Sequence, residues 1–122
     1  MLEGKKILIT EDDLAMTKMY KDYFAYKKET RVAIMLYAQN VQKCLDILGK
    51  EKPSLMFLDL GLDDTSPPSG FNILKEYKDR LKIVVVSGYR EYKQDCLDAG
   101  AITFLSKPVD LSDMIKIMIE HA

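Results

Sequence analysis

The sequence predicts an α/β protein: a doubly wound sheet of five parallel strands with helices on both faces. Five short apolar runs are spread along the 122 residues, and segments with helical spacing separate them. Four of these runs are continuously apolar, which is typical of strands covered on both faces. Strand followed by helix, five times over, indicates a parallel sheet with right-handed crossover connections.

The expected strands lie at residues 6–10, 32–38, 55–60, 83–87 and 102–106. The first helix is expected to bury a stripe made of Leu14, Met16, Met19, Tyr20, Tyr23 and Phe24. The second has apolar residues at the helical period in Val41, Leu45 and Leu48, and Gly49 with Pro53 is expected to end it.

The third helix is predicted to be short, from Phe71 to Tyr77. The fourth helix should end at Gly100 and bury the face formed by Tyr89, Tyr92, Cys96 and Ala99. The fifth should be capped by Asp110 or Ser112 and bury Leu111, Met114, Ile115 and Met118. Between Gly61 and Gly70 we expect a surface loop, because Pro67 and Pro68 exclude a helix.

Composition excludes several classes of function. The net charge is −1 and the basic residues are dispersed, which argues against a nucleic-acid surface. No apolar run approaches the roughly 18 residues of a membrane span, and the first residues do not resemble a signal peptide. Cys44 and Cys96 match no metal-ligand spacing and are expected to be buried, reduced thiols. We therefore expect one cytoplasmic domain over residues 1–122.

Chemically active residues follow four of the five strands. Ligands of parallel sheets bind beyond the carboxyl ends of the strands. Glu11, Asp12 and Asp13 follow the first strand, and Asp59, Ser87 and the segment 106–108 end the third, fourth and fifth. Crowded carboxylates repel one another, and Mg²⁺ is the oxygen-seeking cation that best offsets this.

With Mg²⁺ bound, Asp59 can stay ionised and attack phosphorus. Lys107 and Ser87 are the types of residue that hold phosphoryl oxygens. Taken singly, each residue has a plainer explanation, such as a helix cap, a turn former or a solvated surface side chain. Their coincidence at four strand ends favours a common site.

The segments ILITEDD, LMFLDL, IVVVSG and AGAITFLSKP resemble the blocks of response-regulator receiver domains, from about Lys5 to the C-terminus. The resemblance implies a flavodoxin-like (βα)5 fold with strand order 2-1-3-4-5. It implies that Asp59 is the phosphoacceptor and that Asp12, Asp59 and the Gly61 carbonyl bind Mg²⁺, with Glu11 acting through water. Ser87 and Phe104 would be switch residues, and Lys107, before a cis Pro108, would bind phosphate.

The implied partners are a sensor histidine kinase or a histidine phosphotransfer protein, and a downstream protein that contacts the fourth helix, fifth strand and fifth helix. The domain would be a monomer or a phosphorylation-dependent dimer, without nucleic-acid or membrane contacts. It would not be an enzyme, beyond promoting its own phosphorylation and dephosphorylation. Asp13 is expected to be a helix cap.

The sequence departs from the family pattern after Asp59, where the loop is longer by about three residues. Asp63 stands where a proline is expected, and Asp63 and Asp64 are expected to be solvated loop charges. Phe104 replaces the commoner tyrosine. Because the chain ends at Ala122, we expect either a stand-alone receiver or part of a larger protein.

Two alternatives remain open. One is a pseudo-receiver, an interaction module that no longer takes phosphate. The other, disfavoured because no second aspartate lies two residues after Asp59, is a Mg²⁺ phosphatase of the haloacid-dehalogenase type.

Overall fold

The computed structural model describes residues 1–63 and 65–122. The strands are Lys6–Thr10 (β1), Ile34–Ala38 (β2), Leu55–Asp59 (β3), Lys82–Ser87 (β4) and Thr103–Ser106 (β5). The α-helices are Leu14–Tyr26 (α1), Val41–Glu51 (α2), Gly70–Tyr77 (α3), Lys93–Asp98 (α4) and Leu111–His121 (α5). A 3-10 turn, Arg90–Tyr92, leads into α4.

The strands form one sheet in the order β2-β1-β3-β4-β5, and every neighbouring pair is parallel. One face of the sheet packs against α2, α3 and α4, around Leu48, Leu74 and Cys96. The other packs against α1 and α5, around Phe24 and Met118. The predicted doubly wound fold and its strand order are therefore confirmed.

The expected stripe on α1 is partly wrong. Leu14 is 67% exposed and Met19 is 43% exposed, whereas Thr17, Tyr20 and Phe24 are buried. Leu14 is the first helical residue, and Met19 is turned about 100° from Tyr20 around the helix axis, away from the sheet. Periodicity predicted the helix correctly but overestimated the width of its buried face.

The predicted end of α2 at Gly49 with Pro53 is confirmed in part: the helix passes through Gly49 and ends at Glu51, two residues before Pro53. Lys52 then adopts a left-handed conformation with φ of 49°, and Pro53 follows it. The predicted end of α4 is confirmed: Gly100 lies just after the helix with φ of 112°, a value that favours glycine. Tyr89, expected on the buried face of that helix, is instead 44% exposed in the loop before it.

The long loop after β3 is closed at its base. The Gly70 N–H donates to the Leu60 carbonyl at 3.1 Å. A Cβ atom on residue 70 would lie 2.7 Å from the Leu60 backbone, so only glycine permits this approach. Asp64 lies outside the described residues, and the prediction of a solvated charge there stays a prediction.

The remaining sequence predictions about caps and cysteines are confirmed. Asp13 accepts hydrogen bonds from the Ala15 and Met16 N–H groups, and Asp110 caps α5 through the Ser112 N–H. Both cysteines are buried and free. Within the described residues, every helix is too short or too polar to cross a bilayer.

Candidate functional site

Three carboxylates from two strand ends meet at the carboxyl edge of the sheet. Glu11 and Asp12 directly follow β1, and Asp59 is the last residue of β3. One carboxylate oxygen from each of them lies within 4.8 Å of the other two. Glu11 and Asp59 are buried, whereas Asp12 is exposed. The predicted convergence of these three side chains is therefore what the structure shows.

Lys107 brings the positive charge that the buried carboxylates need. Its Nζ donates to Glu11 Oε1 at 2.8 Å and to Asp59 Oδ2 at 3.1 Å. Burial alone would lower the pKa of Lys107, but the bonds and charges of Glu11 and Asp59 outweigh this and raise it above its usual range. The lysine therefore carries its charge at any physiological pH.

Glu11 is held between opposing influences. Burial raises its pKa, while the hydrogen bonds from Lys107 and from the Asp13 N–H work in the opposite direction. The Asp13 N–H donates to Oε2 at 3.2 Å, so each carboxylate oxygen of Glu11 has a partner within the protein. The Glu11 carboxylate is thus fixed in place by hydrogen bonds to both of its oxygens.

The backbone around Asp59 is fixed by two further groups. The Asp59 N–H donates to Thr10 Oγ1 at 2.8 Å, which ties the end of β3 to the end of β1. The Gly61 N–H donates to Asp59 Oδ1 at 3.0 Å. The carboxylate of Asp59 therefore has one oxygen facing the Gly61 turn and the other facing Lys107.

Ser87 ends β4, in register with Ser106 of β5, and is fully buried. Its Oγ accepts a hydrogen bond from the Tyr89 N–H at 2.9 Å. In the sheet, Asp59 is paired with Val86, so Ser87 lies one residue beyond the level of the acidic residue. The backbone N–H of Lys107 donates to the Ser87 carbonyl at 3.0 Å, which links the two strand ends.

Phe104 lies in the middle of β5, paired with Val85, and is 7% exposed. It packs in the cluster that includes Cys96 of α4 and Ala101. The peptide bond between Lys107 and Pro108 is cis, as expected, and Ser66-Pro67 is a second cis bond that was not predicted.

The donor set fits a small hard cation. The three side-chain ligand atoms are carboxylate oxygens, a type that Mg²⁺ prefers and binds at about 2.1 Å. Two ligands on opposite sides of such an ion lie about 4.2 Å apart. The three carboxylate oxygens lie within 4.8 Å of one another, so they can surround one ion if a side chain shifts slightly or if one of them binds through water.

Two contacts were missed from the sequence. Thr10 was regarded only as part of a strand, although a hydroxyl at the last position of a buried strand, before the acidic pair, is a detectable signal. The ring of Tyr89 covers Gly61: its Cε2 lies 2.9 Å from the position a Cβ atom of residue 61 would take. No local pattern reveals this contact, because the two residues belong to different loops.

Comparison with known proteins agrees with this geometry. A sequence model described as "Response regulator receiver domain" matches residues 7–119. The chain is 29% identical over 116 residues to sporulation initiation phosphotransferase F of Bacillus subtilis, covering 91% of this chain and 88% of that protein. It is also 29% identical over 116 residues to the sensory transduction protein LytT of Bacillus anthracis, covering 95% of this chain but 46% of LytT.

Among solved structures, a CheY-like response regulator receiver domain protein from Methanospirillum hungatei superposes with a TM-score of 0.81 and 27% identity, over 97% of this chain and 93% of that one. This chain belongs to the response regulator receiver domain family of two-component systems. In that family the domain accepts a phosphoryl group, and an acidic pocket generally binds Mg²⁺. The chain spans under half the length of the LytT relatives it matches.

Proposed function

We propose that this domain accepts a phosphoryl group from a phosphohistidine onto Asp59, in a reaction that needs Mg²⁺, and that phosphorylation changes a protein-binding face. One observation carries the proposal: Lys107 binds both Glu11, at 2.8 Å, and Asp59, at 3.1 Å, although the three residues are far apart in sequence. Buried charge of this kind is costly for stability, and its clustering at the carboxyl ends of the strands points to chemistry.

Mg²⁺, when bound, would offset the negative charge that develops around phosphorus. Asp12 and Asp59 would hold it directly with the Gly61 carbonyl, and Glu11 through water. The carboxylate of Asp59 attacks in line: an O–P bond forms, the N–P bond of the phosphohistidine breaks, and the imidazole leaves with the electron pair. The ammonium of Lys107 lies beside Asp59 Oδ2, where it can pair with a phosphoryl oxygen.

Ser87 and Phe104 are the proposed switch. Phosphoryl oxygens on Asp59 would draw the Ser87 hydroxyl inwards, away from the Tyr89 N–H whose hydrogen bond its Oγ now accepts. Phe104 would then move towards the space beside Ser87 and change the face formed by α4, β5 and α5. The change is a shift between two populations, and phosphate moves it only by its different affinity for the two states.

The proposed phosphodonor is a sensor histidine kinase or a histidine phosphotransfer protein. Apolar side chains are exposed on α1, which begins beside the acidic pair: Leu14, Met19 and Tyr26 are 67%, 43% and 75% exposed. Met19 and Tyr26 are seven residues apart and so share one face of α1, and exposed apolar groups on one helix face favour docking of another protein. This surface would bring a donor helix next to Asp59.

We further propose that residues 1–122 form one receiver domain and that it acts in the cytoplasm. Two free, buried thiols are compatible with a reducing compartment. The domain would promote only its own phosphorylation and dephosphorylation. Its downstream partner would be a protein rather than a nucleic acid, and the domain would stay monomeric or dimerise when phosphorylated.

Intact mass spectrometry after incubation with acetyl phosphate and Mg²⁺ tests the proposal. Wild type should gain one phosphoryl group, and Asp59→Asn should gain none, because an amide does not attack phosphorus as a carboxylate does. Asp63→Asn, in the same loop, is the matched control and should be phosphorylated like wild type. An unmodified wild type would indicate a pseudo-receiver, and an adduct that persists in Asp59→Asn would refute the assignment of the acceptor.

A further inference from the structure

A groove of about 530 Å³ lies between α3, the long loop before it and α4. Its apolar part consists of Pro67 and Pro68 from the loop, Phe71 from α3 and Tyr92 from the 3-10 turn. Phe71 and Tyr92 meet edge to face, with ring centroids 5.2 Å apart. The volume lies within the range of about 300–1,000 Å³ that is typical of ligand pockets. It is large enough for an aromatic or branched side chain of a partner.

The rim of the groove is charged and asymmetric. Asp95 and Asp98 of α4 line one side, and Lys75 of α3 lies on the other. All three are exposed. None of the ion pairs found among residues 1–63 and 65–122 involves them. Among the described residues, the Asp98 side chain accepts one hydrogen bond, a neutral one from the Gln94 side chain at 2.9 Å. The rim therefore has surplus negative charge without an internal partner.

We infer that this groove binds a peptide segment of a partner protein that places an aromatic side chain between two basic residues. The aromatic side chain would lie on Phe71 and Tyr92, where edge-to-face contacts are favourable. The flanking Arg or Lys residues would pair with Asp95 and Asp98. This surface is on the α3 side of α4, and is thus separate from the face that α4 forms with β5 and α5.

The groove is also connected to the acceptor loop through aromatic contacts. Tyr92 is 6.2 Å from Tyr89, centroid to centroid, and Tyr89 covers Gly61. The Tyr89 N–H is bonded to Ser87 Oγ. If Ser87 moves inwards on phosphorylation, as the proposed function requires, Tyr89 loses this bond and would shift against Tyr92, which lines the groove. Peptide binding should therefore depend on the state of Asp59.

The peptide Ac-Arg-Trp-Arg-NH₂ is a direct probe, because the protein contains no tryptophan and the peptide fluorescence is its own signal. Titration into the ¹⁵N-labelled protein should shift amide signals mainly within residues 69–75 and 92–99. The double variant Asp95→Lys with Asp98→Lys should weaken binding roughly tenfold, and Lys75→Glu should strengthen it. Glu120→Lys, an exposed charge reversal on α5, is the matched control and should bind as wild type does.

Three results would overturn the inference: equal binding of Ac-Glu-Trp-Glu-NH₂, shifts centred outside the groove, or no loss of affinity in the double variant. A second copy of the chain is the other possible occupant, and a mass that rises with concentration in sedimentation, abolished by the double variant, would favour it over a peptide.

Beryllofluoride with Mg²⁺ then tests the connection to the site, and should change the peptide affinity at least about threefold in wild type but not in Tyr89→Ala. Unchanged affinity in beryllofluoride-bound wild type would refute the connection. If acetyl phosphate leaves Asp59 unmodified while the peptide still binds selectively, the proposed function fails and the groove remains.

Discussion

The two ends of the parallel sheet bring together different kinds of residue. At the carboxyl end, Glu11, Asp12 and Asp59 share a volume small enough for one cation, and Lys107 lies between two of them. At the amino end, an open cavity of about 430 Å³ lies between α2, α3 and the segments that follow them. It is lined by Leu48, Gly49, Lys52, Pro53, Tyr77, Arg80 and Leu81.

The cations at the amino end have a structural explanation. Lys52 follows the last residue of α2, and Arg80 follows α3 by three residues. Positive charges at helix C-termini offset the partial negative charge of the free carbonyls. The Arg80 guanidinium also lies 4.8 Å from the Tyr77 ring centroid. Each charge there is exposed and accounted for by its own surroundings.

The carboxyl end differs because its charges are buried together and depend on one another. Burying a carboxylate costs free energy unless it is paired, and Glu11 and Asp59 share the same lysine. The cluster at the carboxyl end is thus stronger evidence of function than the cavity at the amino end, because its charged side chains could not be buried one at a time. The following predictions use this contrast, from the largest expected effect to the smallest.

Asp12→Ala should weaken Mg²⁺ binding about 100-fold or more, since it removes an exposed carboxylate that is free to ligate directly. Isothermal titration calorimetry with MgCl₂ measures this. The neighbouring Asp13→Ala is the control: it removes the α1 cap, costs about 1 kcal/mol of stability, and should leave Mg²⁺ affinity within about twofold of wild type. If Asp13→Ala lost more Mg²⁺ affinity than Asp12→Ala, the assignment of Asp12 as the ligand would be wrong.

Lys107→Ala should lower the free energy of unfolding in Mg²⁺-free buffer by about 1–3 kcal/mol, because Glu11 and Asp59 lose their shared partner. Urea denaturation with and without Mg²⁺ measures the loss, and the ion should restore part of it. The variant should still bind Mg²⁺, but beryllofluoride should no longer shift the amide signals of Phe104 and α4. Shifts equal to those of wild type would contradict a role for the lysine in the switch.

Arg80→Ala tests the amino end and should have the smallest effect. Loss of the contact with Tyr77 should change the free energy of unfolding by about 0.5–1 kcal/mol at most. Phosphorylation by acetyl phosphate and the affinity for Mg²⁺ should stay at wild-type levels. A variant with slower phosphorylation would show that the two ends of the sheet are coupled, and that the contrast drawn between them is too simple.

Local sequence was enough to predict the order of elements, the sheet type and the polar residues at the carboxyl ends of the strands. Buried parallel strands need continuous apolar runs, and polar residues at their ends stand out against these runs. Glu11, Asp59, Ser87 and Lys107 were recognisable for this reason. The caps at Asp13 and Asp110 were predictable because a cap depends only on the next few residues.

Only the tertiary structure decided which side chains touch. Strand order and loop path bring three contacts about. Lys107 binds Glu11 and Asp59. Thr10 holds the Asp59 backbone, and Tyr89 covers Gly61. These contacts join residues whose separation in sequence bears no relation to their distance in space. The exposure of Leu14 and Met19 likewise follows from how α1 lies on the sheet, because periodicity defines a helix but not the width of the surface it covers.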